Sequence, residues 1–397
     1  MKITNLSLAA IAVVGMMSAA SADGVDVKVG GQGVIYYQTI ENGGDTDFFK
    51  KDNSRANAGL QLNLNADLGN GFGLGYQETF LGSLGLENNL VSNTMQTAQE
   101  GELNSHSMTK LYITKQIANT TLKLGRQELP KSLSPLAFSE GWNVFKNTFD
   151  AAVAINTDIP DTTLVGAYVS RSNGGINGKR VGLVDLGSYG DLAGGAIGKG
   201  AYMLTVANKS LKQAPITLSY YKLEDIIGGE AGSAVWADVQ VDAGIPVKFG
   251  LQGGSIMPEN GLDDTTAMGL KVTGKAGPVA LKLAYSTVDD GTLSVQNTGT
   301  GVKTPLYTQM VFNQNHISRD ADTVVLQGKT PVGPGTLIAQ YDMTTDNAAD
   351  GSDYNELDVI YKFKALGTTM LAAYVMADHE AAADPQNIVR FWTRYNF

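Results

Sequence analysis

The residues in this chain that could do chemistry are mostly charged side chains that alternate with apolar ones, and they do not form a reacting set. The three histidines, His106, His316 and His379, lie far apart without ligand spacing. There is no G-x-S-x-G elbow and no H-E-x-x-H pair, so neither a serine hydrolase nor a zinc protease is indicated, and no enzyme is expected. Acidic stretches GLDDT (261–265), VDDG (288–291) and SRDADT (318–323) have oxygen ligands that would suit calcium. None has EF-hand spacing, and solvated loops of this kind are common. No other cofactor is indicated. What remains is electrostatics. Arg55, Lys110, Lys248, Lys271, Lys282, Glu356, Asp358, Lys362, Arg390 and Arg394 each share one parity with polar residues and alternate with apolar ones. Such charges act through their fields on whatever passes a confined, water-filled space.

That parity belongs to strands. In GLQLNLNADLG, Leu60, Leu62, Leu64 and Ala66 alternate with Gln61, Asn63, Asn65 and Asp67. KLYITKQ (110–116), TLKLG (121–125), GLKVTG (269–274), VALKLAYS (279–286) and ELDVIYKF (356–363) repeat the pattern. Short turns at 67–71, 117–120, 159–162, 208–214, 244–247, 274–278, 332–335 and 364–368 carry Gly, Pro, Asn or Asp. Between them fall longer connections at about 41–53, 81–105, 128–147, 172–200, 225–233, 255–265, 289–320, 344–353 and 377–387. Strict short–long alternation places all tight turns at one end of the sheet and all long loops at the other. The fold class expected is all-β: a transmembrane antiparallel barrel of about 18 strands, with short periplasmic turns and long external loops.

The two ends of the chain agree with this. VRFWTRYNF (389–397) sets Val389, Phe391, Thr393, Tyr395 and Phe397 on one face and Arg390, Trp392, Arg394 and Asn396 on the other. A sheet in lipid cannot leave an edge open, so this strand should pair with the first, expected at 25–39 with its register uncertain near Gly30, Gly31 and Gly33. Aromatic residues Tyr36, Tyr37, Tyr76, Phe80, Tyr220, Tyr285, Tyr341, Tyr361, Phe363 and Tyr395 fall near strand ends, where interfacial girdles form. Residues 1–22 read as a secretory signal peptide: Lys2, an apolar core from Leu6 to Met17, and Ala20-Ser21-Ala22 before Asp23. Its loss takes the formal charge from −10 to −11 by removing Lys2. No later apolar run is long enough for a spanning helix, and an acidic chain with scattered basic residues does not suit nucleic acid. The absence of cysteine rules out disulfides.

On these grounds the chain resembles the major outer-membrane porins of Campylobacter and related bacteria, which have eighteen strands. The resemblance covers the mature chain, 23–397, and is most specific in LKLGRQELPKSLSP (122–135), NTFDAAVAINTDIPDTTLVGAYVS (147–170) and the closing RFWTRYNF. It implies a homotrimer in outer-membrane lipid and lipopolysaccharide, with water-filled pores for passive diffusion of ions and small hydrophilic solutes. It also implies a third external loop that folds inward, and a terminal aromatic strand similar to the signal read by barrel-inserting machinery. Two other readings stay open: a substrate-specific uptake channel, and a surface adhesin or structural barrel.

The third loop, at about 128–147, is then the expected constriction. It carries Glu128, Lys131, Glu140 and Lys146, with Asp150 just beyond, and Pro130, Pro135 and Trp142 would stiffen it. Leu133, Leu136 and Phe138 would pack it against an inner wall. Its carboxylates would face Arg55, Lys110 and Arg390, with Arg394 completing the lumen set. Arg126 joins that set against its own parity, because it alternates in step with Leu122 and Leu124. Arg171 has the same difficulty after Val165, Ala167 and Val169; a bulge or a position at headgroup level would resolve both.

Overall fold

The computed structural model describes residues 25–44, 46–99, 102–141, 143–173, 184–186, 189–191, 200–227, 230–259 and 261–397. The proposed signal peptide, Trp142 and most of the fourth loop lie outside the described residues. Among the described residues, three of the strand segments are two residues long, and the remaining eighteen form the barrel. In chain order these are β1 (Asp26–Glu41), β2 (Ser54–Gly69), β3 (Phe72–Gly82), β4 (Ser105–Ile117), β5 (Thr120–Gln127) and β6 (Phe149–Asn156). Then come β7 (Thr162–Ser172), β8 (Ala201–Asn208), β9 (Ile216–Ile227), β10 (Glu230–Val241), β11 (Lys248–Pro258) and β12 (Thr265–Ala276). The last six are β13 (Val279–Val288), β14 (Ala321–Val332), β15 (Gly335–Asp346), β16 (Tyr354–Ala365), β17 (Thr368–His379) and β18 (Gln386–Asn396).

Each strand pairs antiparallel with the next, and β18 returns to β1, from Gln32 opposite Asn396 to Glu41 opposite Asn387. The closure continues past the strand end: the Gly31 N–H donates to the Phe397 carbonyl at 2.9 Å, and the Phe397 N–H returns at 3.1 Å. A Cβ at Gly31 would lie 2.2 Å from the Gln61 carbonyl oxygen, so only glycine lets three backbones meet here. At the tight-turn end, Gly69, Asn70 and Gly71 all take positive φ, the conformation that such residues supply cheaply.

The outward face is apolar, as a lipid-facing wall requires. Leu281, Leu283 and Tyr285 on β13 are exposed, and so are Phe391, Tyr395 and Phe397 at the C-terminus. Between the β13 residues, Lys282 and Ala284 face inward. Arginine or lysine on the outer face near mid-membrane would cost about 2–4 kcal/mol each.

Three expectations are corrected by this wall. Residues 225–233 are not a long loop, since β9 and β10 continue to a pairing of Ile227 with Glu230; the intervening 228 and 229 lie outside the described residues. Tyr36 is not a girdle residue, because it is fully buried on the inward side. Val165, Ala167 and Val169 are buried in one cluster with Leu129 and Leu136 of the third loop and therefore face inward. The inner wall is apolar here because a loop packs on it.

Candidate pore lining

Inward parity on the strands brings together Lys110 and Lys123 (β4, β5), Lys271 and Lys282 (β12, β13), and Arg390 and Arg394 (β18), with Asp238, Asp342, Glu356 and Asp358 as inward acids. Among the described residues the second, third and seventh loops reach this wall, and Leu186 of the fourth packs in the same cluster as Val34 and Tyr36. In the third, the Leu136 N–H donates to the Tyr221 hydroxyl of β9 at 3.2 Å. On the side of β18, the Asn143 carbonyl accepts from Arg394 Nη2 at 3.1 Å. Phe145 packs with Tyr36, Val34 and Leu81. The third loop thus touches inward residues of strands far apart around the barrel.

The seventh loop, residues 289–320, is held to the wall more heavily. The Tyr307 hydroxyl donates to Asp238 Oδ2 at 2.5 Å, and Lys282 Nζ donates to the Tyr307 carbonyl at 3.1 Å. Lys271 Nζ lies 4.1 Å from the centre of the Tyr307 ring, an arrangement that favours the cation. The Glu356 carboxylate accepts the N–H groups of Val311 (2.8 Å) and Phe312 (2.9 Å), and Asn313 Nδ2 donates to Asp342 at 2.8 Å. The second loop joins through Gln96, whose side-chain amide pairs with both the N–H and the carbonyl of Phe145, at 2.7 and 2.9 Å.

The third and seventh loops are joined directly. Asn297 accepts the Phe138 N–H at 3.0 Å and donates to the Phe138 carbonyl at 2.9 Å, and Lys131 Nζ donates to the Thr304 carbonyl at 2.9 Å. Lys303 is buried and donates to the carbonyls of Met310 (2.9 Å) and Val311 (2.8 Å). At the mouth, a cavity of about 640 Å³ is lined by Arg55, Gln38, Phe312, His316, Tyr354 and His379, among others. His316 stacks flat on Tyr354, ring centres 3.9 Å apart, and burial, then nearby His379, holds its pKa down at about 4.

The ten residues expected at the pore separate into groups. Glu128 bridges Lys110 at 2.5 Å and Lys146 at 3.0 Å. Burial works against its carboxylate, but Lys110 and then Lys146 more than offset that, and its pKa falls below the ordinary value. Lys131 and Glu140 lie at the loop junction. Burial, then Lys303, lowers Lys131 to about 8; burial raises Glu140 to about 7 against the pull of Lys303 and Lys131. Arg390 is buried and donates to Gln38 Oε1 at 2.9 Å from Nε, and Arg394 donates to Gln32 as well as Asn143. Arg55 lines the mouth cavity.

Arg126 and Asp150 are corrections. Arg126 sits opposite Leu111 and Asp150, on the outward parity, and Asp150 sits opposite Arg171. Asp150 accepts from Arg126 at 2.9 Å and from Arg171 at 2.8 Å. A bulge between Asp150 and Ala151 turns Arg171 outward to join them. Among the described residues no group of three or more His, Asp or Glu is placed to hold a metal ion. Asp289 instead accepts the Thr266 N–H at 2.8 Å.

The seventh loop's part in the lining escaped sequence reasoning, and Lys303 with it. A signal was present: TLSVQNTGTGVKTPLYTQMVFNQNH (292–316) holds one charged residue, Lys303, in twenty-five. A loop bathed in water would carry more.

A closed antiparallel barrel with an apolar outside, and charges and loops within, defines an integral outer-membrane channel protein. The model of the Gram-negative porin family matches residues 7–382, and the chain belongs to that family. Its function is therefore transport by a channel, not catalysis. In fold it is similar to OccK8 (OprE) of Pseudomonas aeruginosa, with 14% identity, TM-score 0.73, and 94% of this chain and 98% of that one covered. It is also similar to Pseudomonas aeruginosa OpdK solved with vanillate (12%, 0.74, 94% and 98%). Acinetobacter baumannii OccAB3 is a third such structure (13%, 0.73, 94% and 99%). A comparison with curated protein sequences finds no match.

Proposed function

We propose that this porin is a homotrimeric diffusion channel for ions and small hydrophilic solutes, narrowed by its third and seventh loops and preferring anions. The observation that carries this is the junction of those loops, where Lys131 and Lys303 lie beside a wall bearing Lys271, Lys282, Arg390 and Arg394. Three of the four acids on the wall are engaged by the loops: Glu356 and Asp342 hold the seventh loop, and Asp238 holds Tyr307. The net charge of the chain is a poor guide to the charge a solute meets. The vanillate of the OpdK structure is a small organic anion, and such a solute would suit these lysines and arginines.

The outward charges support the trimer. Arg126, Asp150 and Arg171 form one row on β5–β7, and His106 pairs with Glu78 at 2.6 Å on neighbouring β3 and β4. Ion pairs are costly against lipid, so this sector is read as the face that meets the neighbouring copies. The narrower placement among the major porins of Campylobacter and its relatives rests on the resemblance at 122–135 and at the C-terminus.

Single-channel recording in planar bilayers tests the reading. Ohmic steps in groups of three, with a reversal potential of anion-preferring sign under a salt gradient, are expected. Folded protein that never conducts would overturn the diffusion reading in favour of a surface role. Saturable flux of one solute would instead favour a specific channel.

A further inference from the structure

Glu140 has no evident structural task. It is 7% exposed, and both carboxylate oxygens are buried without a hydrogen-bond partner. Only its backbone is tied, by the N–H to Asn147 Oδ1 at 2.8 Å. Buried orphan carboxylates are rare, because a charge taken from water without a donor costs several kcal/mol. A residue kept for packing alone would lose nothing by being apolar. Its setting points to a different use. The third loop contributes Lys131, and the seventh contributes Lys303. Lys131 donates to the backbone carbonyl of Thr304, and Lys303 to those of Met310 and Val311. Glu140 therefore feels two cations without being locked to either, and it stays open to a proton. Beyond Lys303 the wall presents Glu356, Asp358 and Arg390. Elsewhere on the third loop, Glu128 is satisfied by Lys110 and Lys146.

We infer that Glu140 is a proton-switched selectivity residue of the pore, an inference that rests on the channel reading above. With the carboxylate charged, the junction of Lys131, Lys303 and Glu140 carries a formal +1; with it protonated, +2. Inside a narrow lumen one charge is poorly screened and changes which ions enter. Acid therefore makes the channel more anion-selective. The midpoint lies near neutrality because burial has moved Glu140 to about 7.

The test is the reversal potential of the reconstituted channel under a KCl gradient between pH 8 and pH 5.5, for the wild type, Glu140→Gln and Lys303→Gln. The chloride-to-potassium permeability ratio of the wild type should rise about twofold or more as pH falls. Glu140→Gln should lose the step near neutrality and keep only the smaller residual titration of Lys131 and Lys303 near pH 8, of the histidines and of the wall carboxylates. In Lys303→Gln the midpoint should move upward, since the facing cation no longer favours the charged carboxylate. This variant keeps the inference testable if Glu140→Gln does not fold. A wild type without pH dependence, an equal pH step in Glu140→Gln, or an unmoved midpoint in Lys303→Gln would each overturn it. Absence of conductance altogether would instead count against the diffusion reading.

Discussion

Glu140 and Glu356 are the same side chain in opposite environments. Glu356 accepts from two backbone N–H groups and from the Tyr354 hydroxyl at 2.6 Å, whereas Glu140 accepts from none. The first fastens a loop; the second takes a proton readily. Because the folded pKa of Glu140 lies above its ordinary value of 4.5, the folded state binds the proton more tightly than the unfolded chain. Stability is undiminished below the unfolded value, falls as pH rises towards about 7, and keeps the full penalty above that. Glu140→Gln should therefore raise the thermal midpoint by a few degrees at pH 8 and change it little at pH 4.5. Loss of the folded, heat-modifiable gel band reads this out, and an equal gain at both pH values would contradict the assignment. Sequence placed Glu140 in the third loop but turned its carboxylate toward Arg55, Lys110 and Arg390, whereas the cations beside it are Lys131 of the same loop and Lys303, from a loop more than 150 residues away. Arg126 and Asp150 failed for a related reason: charge on a strand suggested the lumen, while the register with Leu111 and the mutual ion pairs put them outside.

At the scale of elements, the strands were legible because most of their residues obey a two-residue period against either water or lipid. Two places broke the reading. DIIGGEAGS (225–233), rich in glycine and small residues, looked like a loop, yet the strands extend into it and, past a register shift after Leu223, pair again at Ile227 and Glu230. On β7, apolar residues looked lipid-facing because the buried third loop makes an apolar inner wall. The closing pair is the most demanding element, since the last strand has to find a partner more than 350 residues away. Gly31→Val should weaken that closure by about 1–3 kcal/mol, as overpacking against the Gln61 carbonyl and the Phe397 ring forces the backbones apart. The yield of folded protein in outer membranes would fall, whereas Gly33→Ala, which has open space at its Cβ, should leave it unchanged. Equal loss from both would show that closure geometry is not the limit.

For the whole molecule, the third and seventh loops have exchanged solvent for the inward wall of the barrel. The seventh is tied at Tyr307, Val311, Phe312 and Asn313, and Glu356 alone supplies two of those ties. Hydrogen bonds to a charged acceptor contribute about 1.5–3 kcal/mol each, so Glu356→Ala should release that part of the loop. Larger unitary conductance with frequent brief closures is the expected record. An unaltered conductance in a folded channel would mean that this segment does not narrow the path. Sequence by itself determined the barrel, its strand count, its closing strand and the faces of the clearly alternating strands, because alternation and turn chemistry are local and lipid permits no other sheet. Only the tertiary structure decided which loops enter the lumen, that Lys303 meets Lys131 and Glu140 there, and which carboxylates are satisfied. Those outcomes depend on contacts between segments far apart in the chain, where a loop trades water for a wall that no local pattern describes.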